Sequence, residues 1–406
     1  MSFDFGVPEE DLLSHIGNNI KVWPVEGKRV ALADVDAIPY VVGYTSDLQS
    51  YLKMKRDPDW KNSQVWKDKC DHANYLLNRW VMAAECDACI PFITEGRENF
   101  RLKIGKVKPY KGQRMEEKPP FFYEIKEWLY EFHGARLSHK CEADDEISIE
   151  AWRRILAFQK AHPAIELWSE AHKDMSNFVV ISGDKDLGII PTWRCPPDGE
   201  LEWVEPLGIL KPNWKTKEIT AYEYWPLFHG KPVDLVRCRV LMNHEGKIKI
   251  RIKGELECPK LKWEMDHVWY CESQTEGIVK QDTYIRGVNV GKGKFKRVKV
   301  GMKESEYIDK LKGVGLKFFY SQLLTGDTVD NYPGLPGCGS TKAYNTLDDC
   351  ISEWELYKAV RSLYHEHYRK DADLQLLEQG QLAWMQTHRE ELWTPLSNSN
   401  DQSFPA

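Results

Sequence analysis

Residues 140–147 read KCEADDEI, which sets Glu142, Asp144, Asp145 and Glu146 within five positions. Carboxylates this close repel one another, and a site that gathers two of them normally keeps one protonated. Solvent relieves the repulsion on a loop, and a helix N-terminus does so for a capping residue such as Asp144. A cation relieves it for several acids at once. Two more acidic pairs follow apolar runs: Asp34 and Asp36 after VALA, and Asp184 and Asp186 after FVVIS. A fourth pair lies in LLTGDTVDNYPGLPGCG, where Asp327 and Asp330 would share one face of a helical turn. Any one of these is more often a solvated surface than a site. Together, as hard oxygen donors with no accompanying His or Cys, they suit Mg²⁺ or Mn²⁺ rather than zinc.

The elements that must position these acids are legible in outline. KRVALADVDAI, CIPFITE and NFVVISGDKDL have the apolar continuity of buried strands. VWKDKCDHANYLLNRWVMAAE, PPFFYEIKEWLYEFHG and ADDEISIEAWRRILAFQKAH read as helices; in the last, Ile147, Ala151, Ile155 and Phe158 fall on one face. Strands alternating with helices predict a mostly parallel α/β sheet, whose ligands bind beyond the carboxyl ends of the strands. The acids at those ends would therefore converge. Beyond them, Pro333 and Pro336 stop a helix, Gly334, Gly337 and Gly339 permit tight turns, and a new helix is expected near Ser340. Backbone N–H groups at such a start bind phosphate, with Lys342 adding charge.

At 406 residues and 42% hydrophobic content, the chain can bury a sizeable core. Its ten cysteines have no framework spacing, the acidic start MSFDFGVPEEDLL does not read as a signal peptide, and no apolar run reaches membrane-spanning length. A soluble cytoplasmic protein with reduced thiols and no membrane partner is expected. Cys86 and Cys89 are expected to be packed thiols rather than a metal or redox pair, and Cys258, His267 and Cys271 are too irregular for zinc. The net charge of −6 hides an asymmetry: residues 211–303 carry 20 Lys and Arg against 11 Asp and Glu, a net +9 that leaves −15 elsewhere. Alternation and Gly-rich turns there predict a separate β-rich module. A second basic run, RLKIGKVKPYKGQRMEEK, holds Arg101, Lys103, Lys106, Lys108, Lys111, Arg114 and Lys118. By itself such a run is more often a solvated face.

The ordered set LADVD, YKGQR, EADD, ISGDKD and GDTVDNYPGLPGCG resembles the 5′-nuclease family: flap endonucleases, the 5′→3′ exonuclease domain of bacterial DNA polymerase I and phage 5′→3′ exonucleases. The likeness spans roughly residues 28–205 and 306–350, and its overall look is that of a phage replication exonuclease. The resemblance implies an α/β, PIN-like core over 1–205 with a basic arch near 100–120, a basic β-rich insertion over 206–305, and a helical subdomain over 306–395 carrying a helix–three-turn–helix. Residues 396–406 are expected to be a disordered tail. Asp34, Glu142, Asp144, Asp145, Asp184, Asp186, Asp327 and Asp330 match carboxylates around two divalent ions; Glu146 has no match and is expected on the surface. Asp36 is expected to reach the site through water or only to shape the strand end, and Val35 replaces the usual glycine. Lys111 and Arg114 match the catalytic basic motif of the arch, where Tyr110 or Phe100 would stack on a base. Arg101, Lys108, Gly334, Gly337, Gly339 and Lys342 are the expected DNA contacts, with K⁺ held by the turn's carbonyls. The implied activity is metal-dependent hydrolysis at 5′ ends or flaps of duplex DNA and RNA–DNA hybrids, alongside replication proteins in an infected bacterium's cytoplasm. The alternatives are a PIN-type ribonuclease and a catalytically inactive, structure-specific DNA-binding protein.

Overall fold

The computed structural model describes residues 28–45, 48–96, 98–112, 117–228, 231–232, 238–242, 248–252, 268–272, 276–280 and 295–405. The chain divides into two compact units, one of Met1–Trp214 with Ile308–Ala406 and one of Lys215–Tyr307.

In the first unit, β1 (Val30–Asp34), β2 (Ala88–Ile93), β3 (Arg136–Leu137), β4 (Phe178–Ile181), β5 (Trp193–Cys195) and β6 (Glu202–Trp203) form one sheet in the order β3-β2-β1-β4-β5-β6. All neighbours are parallel except the β5–β6 pair. The central strands are apolar up to their carboxyl ends, where β1 finishes in Asp34, because both faces are covered. Val30, Leu32, Ile90, Phe92, Phe178 and Val180 enter one core, and Ala31, Ala33, Cys89, Ile93, Val179 and Ile181 enter the other. This period of two is the strand's own geometry, and it explains why the sequence runs are continuous rather than alternating.

Parallel strands need crossovers, and helices supply them. After β1 come α1 (Ile38–Val42), α2 (Leu48–Met54) and α3 (Gln64–Ala83), the last capped by Ser63 Oγ, which accepts from Trp66 N. After β2 come the short α4 (Arg101–Ile104) and α5 (Phe122–His133), which Gly134 ends in a left-handed conformation, φ 63°. Then α6 (Ala143–Ala161) and α7 (Glu170–Met175) lead to β4. Sheet order grows leftward from β1 to β3 and then restarts rightward at β4. The C-terminal edges of β1 and β4 therefore flank the point where α/β sheets open a crevice. Four helices complete the unit: α8 (Gly315–Thr325), α9 (Ser340–Leu347), α10 (Glu353–Tyr368) and α11 (Ala372–Ala383). Phe319, Leu323, Leu356, Val360 and Leu376 join them to the core that also holds Ile147 and Trp152 of α6.

The second unit is β-structured where it is described. Strands β9 (Cys238–Met242), β10 (Ile248–Ile252), β11 (Val268–Glu272) and β12 (Glu276–Lys280) form a four-stranded sheet in the order β12-β11-β10-β9, with β10 and β11 parallel. The twenty-residue strands β7 (Ile209–Phe228) and β13 (Phe295–Val314) pair with each other, and β8 (Lys231–Pro232) adds to β7. The compact second unit, Lys215–Tyr307, begins within β7 and ends within β13. Cys258 and His267 lie outside the described residues.

The tail and Glu146 depart from expectation in the first unit. Residues 396–405 pack back on the core: Phe404 is buried against Trp152 and Trp384, with ring centroids 5.0 and 5.6 Å away. Ser403 N donates to Glu353 Oε2 at 3.0 Å, and Asp401 accepts from the Ser397 and Asn398 backbone. The polar composition hid one aromatic anchor. Glu146 is buried rather than on the surface, because the Arg389 guanidinium covers it at 2.8 Å. Cys86 and Cys89 are buried free thiols, and burial pushes Cys86 up to about 12. Among the described residues, no helix is long and apolar enough to cross a membrane.

Candidate active site

The strand edges set the first acids. Asp34 is the last residue of β1, and Ser182 follows the last residue of its parallel neighbour β4. Ser182 Oγ donates to Asp34 Oδ2 at 3.0 Å and accepts from Asp184 N at 2.9 Å; Asp186 N in turn donates to Asp184 Oδ1 at 2.9 Å. Asp36 N donates to Asp34 Oδ1 at 3.0 Å. The Asp36 carboxylate itself accepts from Thr94 N at 3.0 and 3.2 Å, so it clamps the end of β2. Thr94 Oγ1 then accepts from Ala143 N at 2.9 Å, which fixes the start of α6 beside that strand end.

At that helix start the acids divide. Glu142 caps α6 in a capping box with Asp145. Both Asp145 oxygens are taken by Arg101: Nη1 reaches Oδ2 at 2.6 Å and Nη2 reaches Oδ1 at 2.7 Å, with neither side chain more than 1% exposed. Arg101 also donates to the carbonyls of Leu382, at 3.1 Å, and Trp384, at 2.7 Å. Two expectations are corrected here. Arg101 is no DNA contact, since it is sealed in the core, and Asp145 is a structural partner rather than a cation ligand. Glu142 and Asp144 are left to face the other acids.

Asp327 and Asp330 complete the cluster, though not from a helix. The helix α8 ends at Thr325, and Gly326 (φ 69°) opens a turn closed by an isolated bridge between Asp327 and Tyr332. The Val329 and Asp330 amides donate to Asp327 Oδ1 at 2.6 and 3.3 Å. Gly334 packs back on this turn; a Cβ there would lie 2.2 Å from Gly326 N. Gly334 is accordingly buried, its amide donating to Gln379 Oε1 at 2.9 Å, and is not a DNA contact. Gly337, Gly339 and Lys342 are exposed around the start of α9.

Two lysines lie among the acids. Lys111, held at φ 51° with its amide donating to Asp330 O at 2.9 Å, pairs with Glu142 and stands 3.6 Å from Asp330 Oδ1. Lys185 pairs with Asp327 and stands 3.2 Å from Asp186 Oδ1. Tyr110 is buried and its hydroxyl bridges Glu142 Oε2, at 2.8 Å, and Asp330 Oδ2, at 3.0 Å. It is therefore part of the acid cluster and not a base-stacking platform. Gln322 Nε2 donates to Asp186 Oδ1 at 2.5 Å. Lys108 is exposed, and Arg114 lies outside the described residues. Sequence reasoning gave Lys185, Ser182, Thr94 and Gln322 no role. Only Lys185 carried a signal, as a cation flanked by two acids in GDKD.

The cluster is short of positive charge. Burial and the Asp36 charge push Asp34 up to about 7; burial and Asp184 do the same to Asp186, also to about 7. Burial, Glu142 and Asp184 push Asp144 well above the carboxylate range. Against the cost of burial, Lys111 and Arg101 hold Glu142 low, and Lys185 holds Asp327 low. Among the described residues, no three acids, His or Cys stand at ligating geometry; Lys111 and Lys185 pair with Glu142 and Asp327. Acid donors crowded in excess over their counter-ions nonetheless have the chemistry that a hard divalent cation satisfies. Asp34, Glu142, Asp144, Asp184, Asp186, Asp327 and Asp330 are the residues available to hold one.

A pH dependence follows. With Asp34 and Asp186 titrating near 7 when folded and near 4 when unfolded, the native chain binds more protons between those values. Their contribution is fully present below about pH 4 and is lost as pH rises through 7. In EDTA, Asp34→Asn should gain on the wild type by on the order of 2 kcal/mol between pH 5 and 7.5. Comparing the two proteins cancels His133, which burial lowers to about 4 and which gives the opposite slope. Thermal unfolding at stepped pH reads the difference; parallel curves would show that Asp34 is not crowded by charge.

Comparison of the chain with protein-family models and with curated proteins gave no match.

Proposed function

We propose that the chain is a metal-dependent 5′-nuclease acting on the 5′ ends or flaps of duplex DNA and of RNA–DNA hybrids. One observation carries the reading: acids from the end of β1, the loop after β4, the start of α6 and the turn after α8 meet at one sheet edge with two lysines as counter-ions. A fold spends stability on such crowding where the negative charge is used. Divalent cations held there would supply charge to activate water and to stabilise the in-line transition state of phosphodiester hydrolysis.

The chain's own residues prepare the rest. Lys103, Lys106 and Lys108 are exposed on the segment that descends to Lys111, so a phosphate backbone meets positive charge before it meets the acids. Lys111, already at the cluster, is the group to hold the reacting phosphate. Ser182, Thr94 and Asp36 fix the strand ends, and Tyr110 ties Glu142 to Asp330. The turn from Gly326 to Gly339 would grip the duplex backbone, with its exposed glycines and Lys342 outward, and the basic second unit would add contacts that do not depend on sequence.

The test is cleavage of a 5′-labelled duplex carrying a single-stranded 5′ flap, in Mg²⁺ and in EDTA. Release of short 5′ products in Mg²⁺ alone is expected, and their length separates exonuclease from flap cutting. Tight binding with no cleavage in either Mg²⁺ or Mn²⁺ would leave the chain a structure-specific DNA-binding protein.

A further inference from the structure

Of the three cations beside the acids, Arg101 and Lys185 differ most in how they can respond. Arg101 is enclosed and makes hydrogen bonds to Asp145, Leu382 and Trp384, so it cannot leave without opening the core. Lys185 is held otherwise. Its side chain is 48% exposed, its ammonium group touches only Asp186 and Asp327 among hydrogen-bonding partners described, and Nζ lies over the Phe318 ring, 5.6 Å from its centroid. Its backbone is anchored independently, the carbonyl accepting from Gly188 N at 2.9 Å at the start of the short helical turn Asp186–Ile189. Asp186 and Asp327 belong to segments far apart in the chain, and Lys185 is the cation that touches both.

We propose that Lys185 is a removable counter-ion: it holds Asp186 and Asp327 together in the metal-free protein and yields them when a divalent cation arrives. The inference rests on reading the acid cluster as a cation site. Its physical basis is that an exposed lysine loses little on returning to water, whereas two buried acids left without a cation lose much. A divalent ion attracts both acids more strongly than one ammonium group does, but it must first displace that group. Lys185 therefore lowers metal affinity and protects the empty cluster from its own repulsion.

Direct binding of Mn²⁺ to the full chain, measured from the electron paramagnetic resonance of the free ion, tests this without reference to cleavage. Lys185→Met is expected to bind Mn²⁺ roughly 5- to 10-fold more tightly than the wild type. It should also unfold at lower temperature in EDTA. Equal or weaker Mn²⁺ binding by the variant would overturn the proposal. Absence of Mn²⁺ binding by the wild type would instead overturn the cation-site reading beneath it, and the two failures are distinct. A second measurement needs no variant: acetylation of the wild type, read by mass spectrometry against exposed Lys342. Labelling of Lys185 is expected to rise several-fold on adding Mg²⁺, and labelling that ignores Mg²⁺ would also overturn the proposal.

Discussion

Asp184→Asn/Asp186→Asn is expected to lose flap cleavage by about 10³-fold or more, with affinity for the flap duplex changed by less than about threefold. The two effects separate because the acids and the phosphate contacts belong to different parts of the chain. Asp184 and Asp186 are tied into the row that runs from Asp34 through Ser182, and Asp186 is buried. Neither is placed to attract DNA; as anions they repel it. The exposed lysines before Lys111 and the turn before α9 carry the backbone contacts in the proposed function, and the substitution leaves them intact. Replacing two carboxylates by amides also lowers the repulsion in the cluster, so the variant should fold at least as well as the wild type. Cleavage and fluorescence-anisotropy binding on one substrate read both numbers. A variant that still cleaves within about tenfold of the wild type would remove these two acids from the mechanism.

Arg101→Met is expected to destabilise the protein by roughly 3–5 kcal/mol. Asp145 would then be an uncompensated carboxylate with no exposure, and the Leu382 and Trp384 carbonyls would lose their donor. The pair links three segments, at residues 101, 145 and 382–386, so the loss should reach the C-terminal helices as well as α6. Adding Asp145→Leu should recover much of the stability, because two apolar groups of similar size replace a buried pair at little cost. Urea unfolding of the single and double variants measures both. A loss below about 1 kcal/mol in Arg101→Met would mean that the cavity admits water and the pair is not sealed.

These two expectations divide along the line between what was legible and what was not. The apolar runs of β1, β2 and β4 and the face repeat of α6 are local patterns, set by the periods of strand and helix. They placed Asp34, Asp184 and Asp186 at strand ends and Glu142 at a helix start before any contact was known. The turn glycines near Asp327 were legible for the same reason, since a left-handed backbone narrows the choice of residue. What a charged side chain meets is a different matter, because its partner comes from a distant part of the chain. Nothing near Arg101 distinguishes it from exposed Lys103, yet one is enclosed by residues 382–386 and the other is in water. Asp144 and Asp145 are adjacent and identical, and the helix turns one toward Glu142 and Asp184 and the other toward Arg101. Phe404 likewise reads as part of a polar tail until Trp152 and Trp384 are beside it. The sequence by itself determined that acids gather at one sheet edge; tertiary packing alone decided which of them a cation inside the protein already owns.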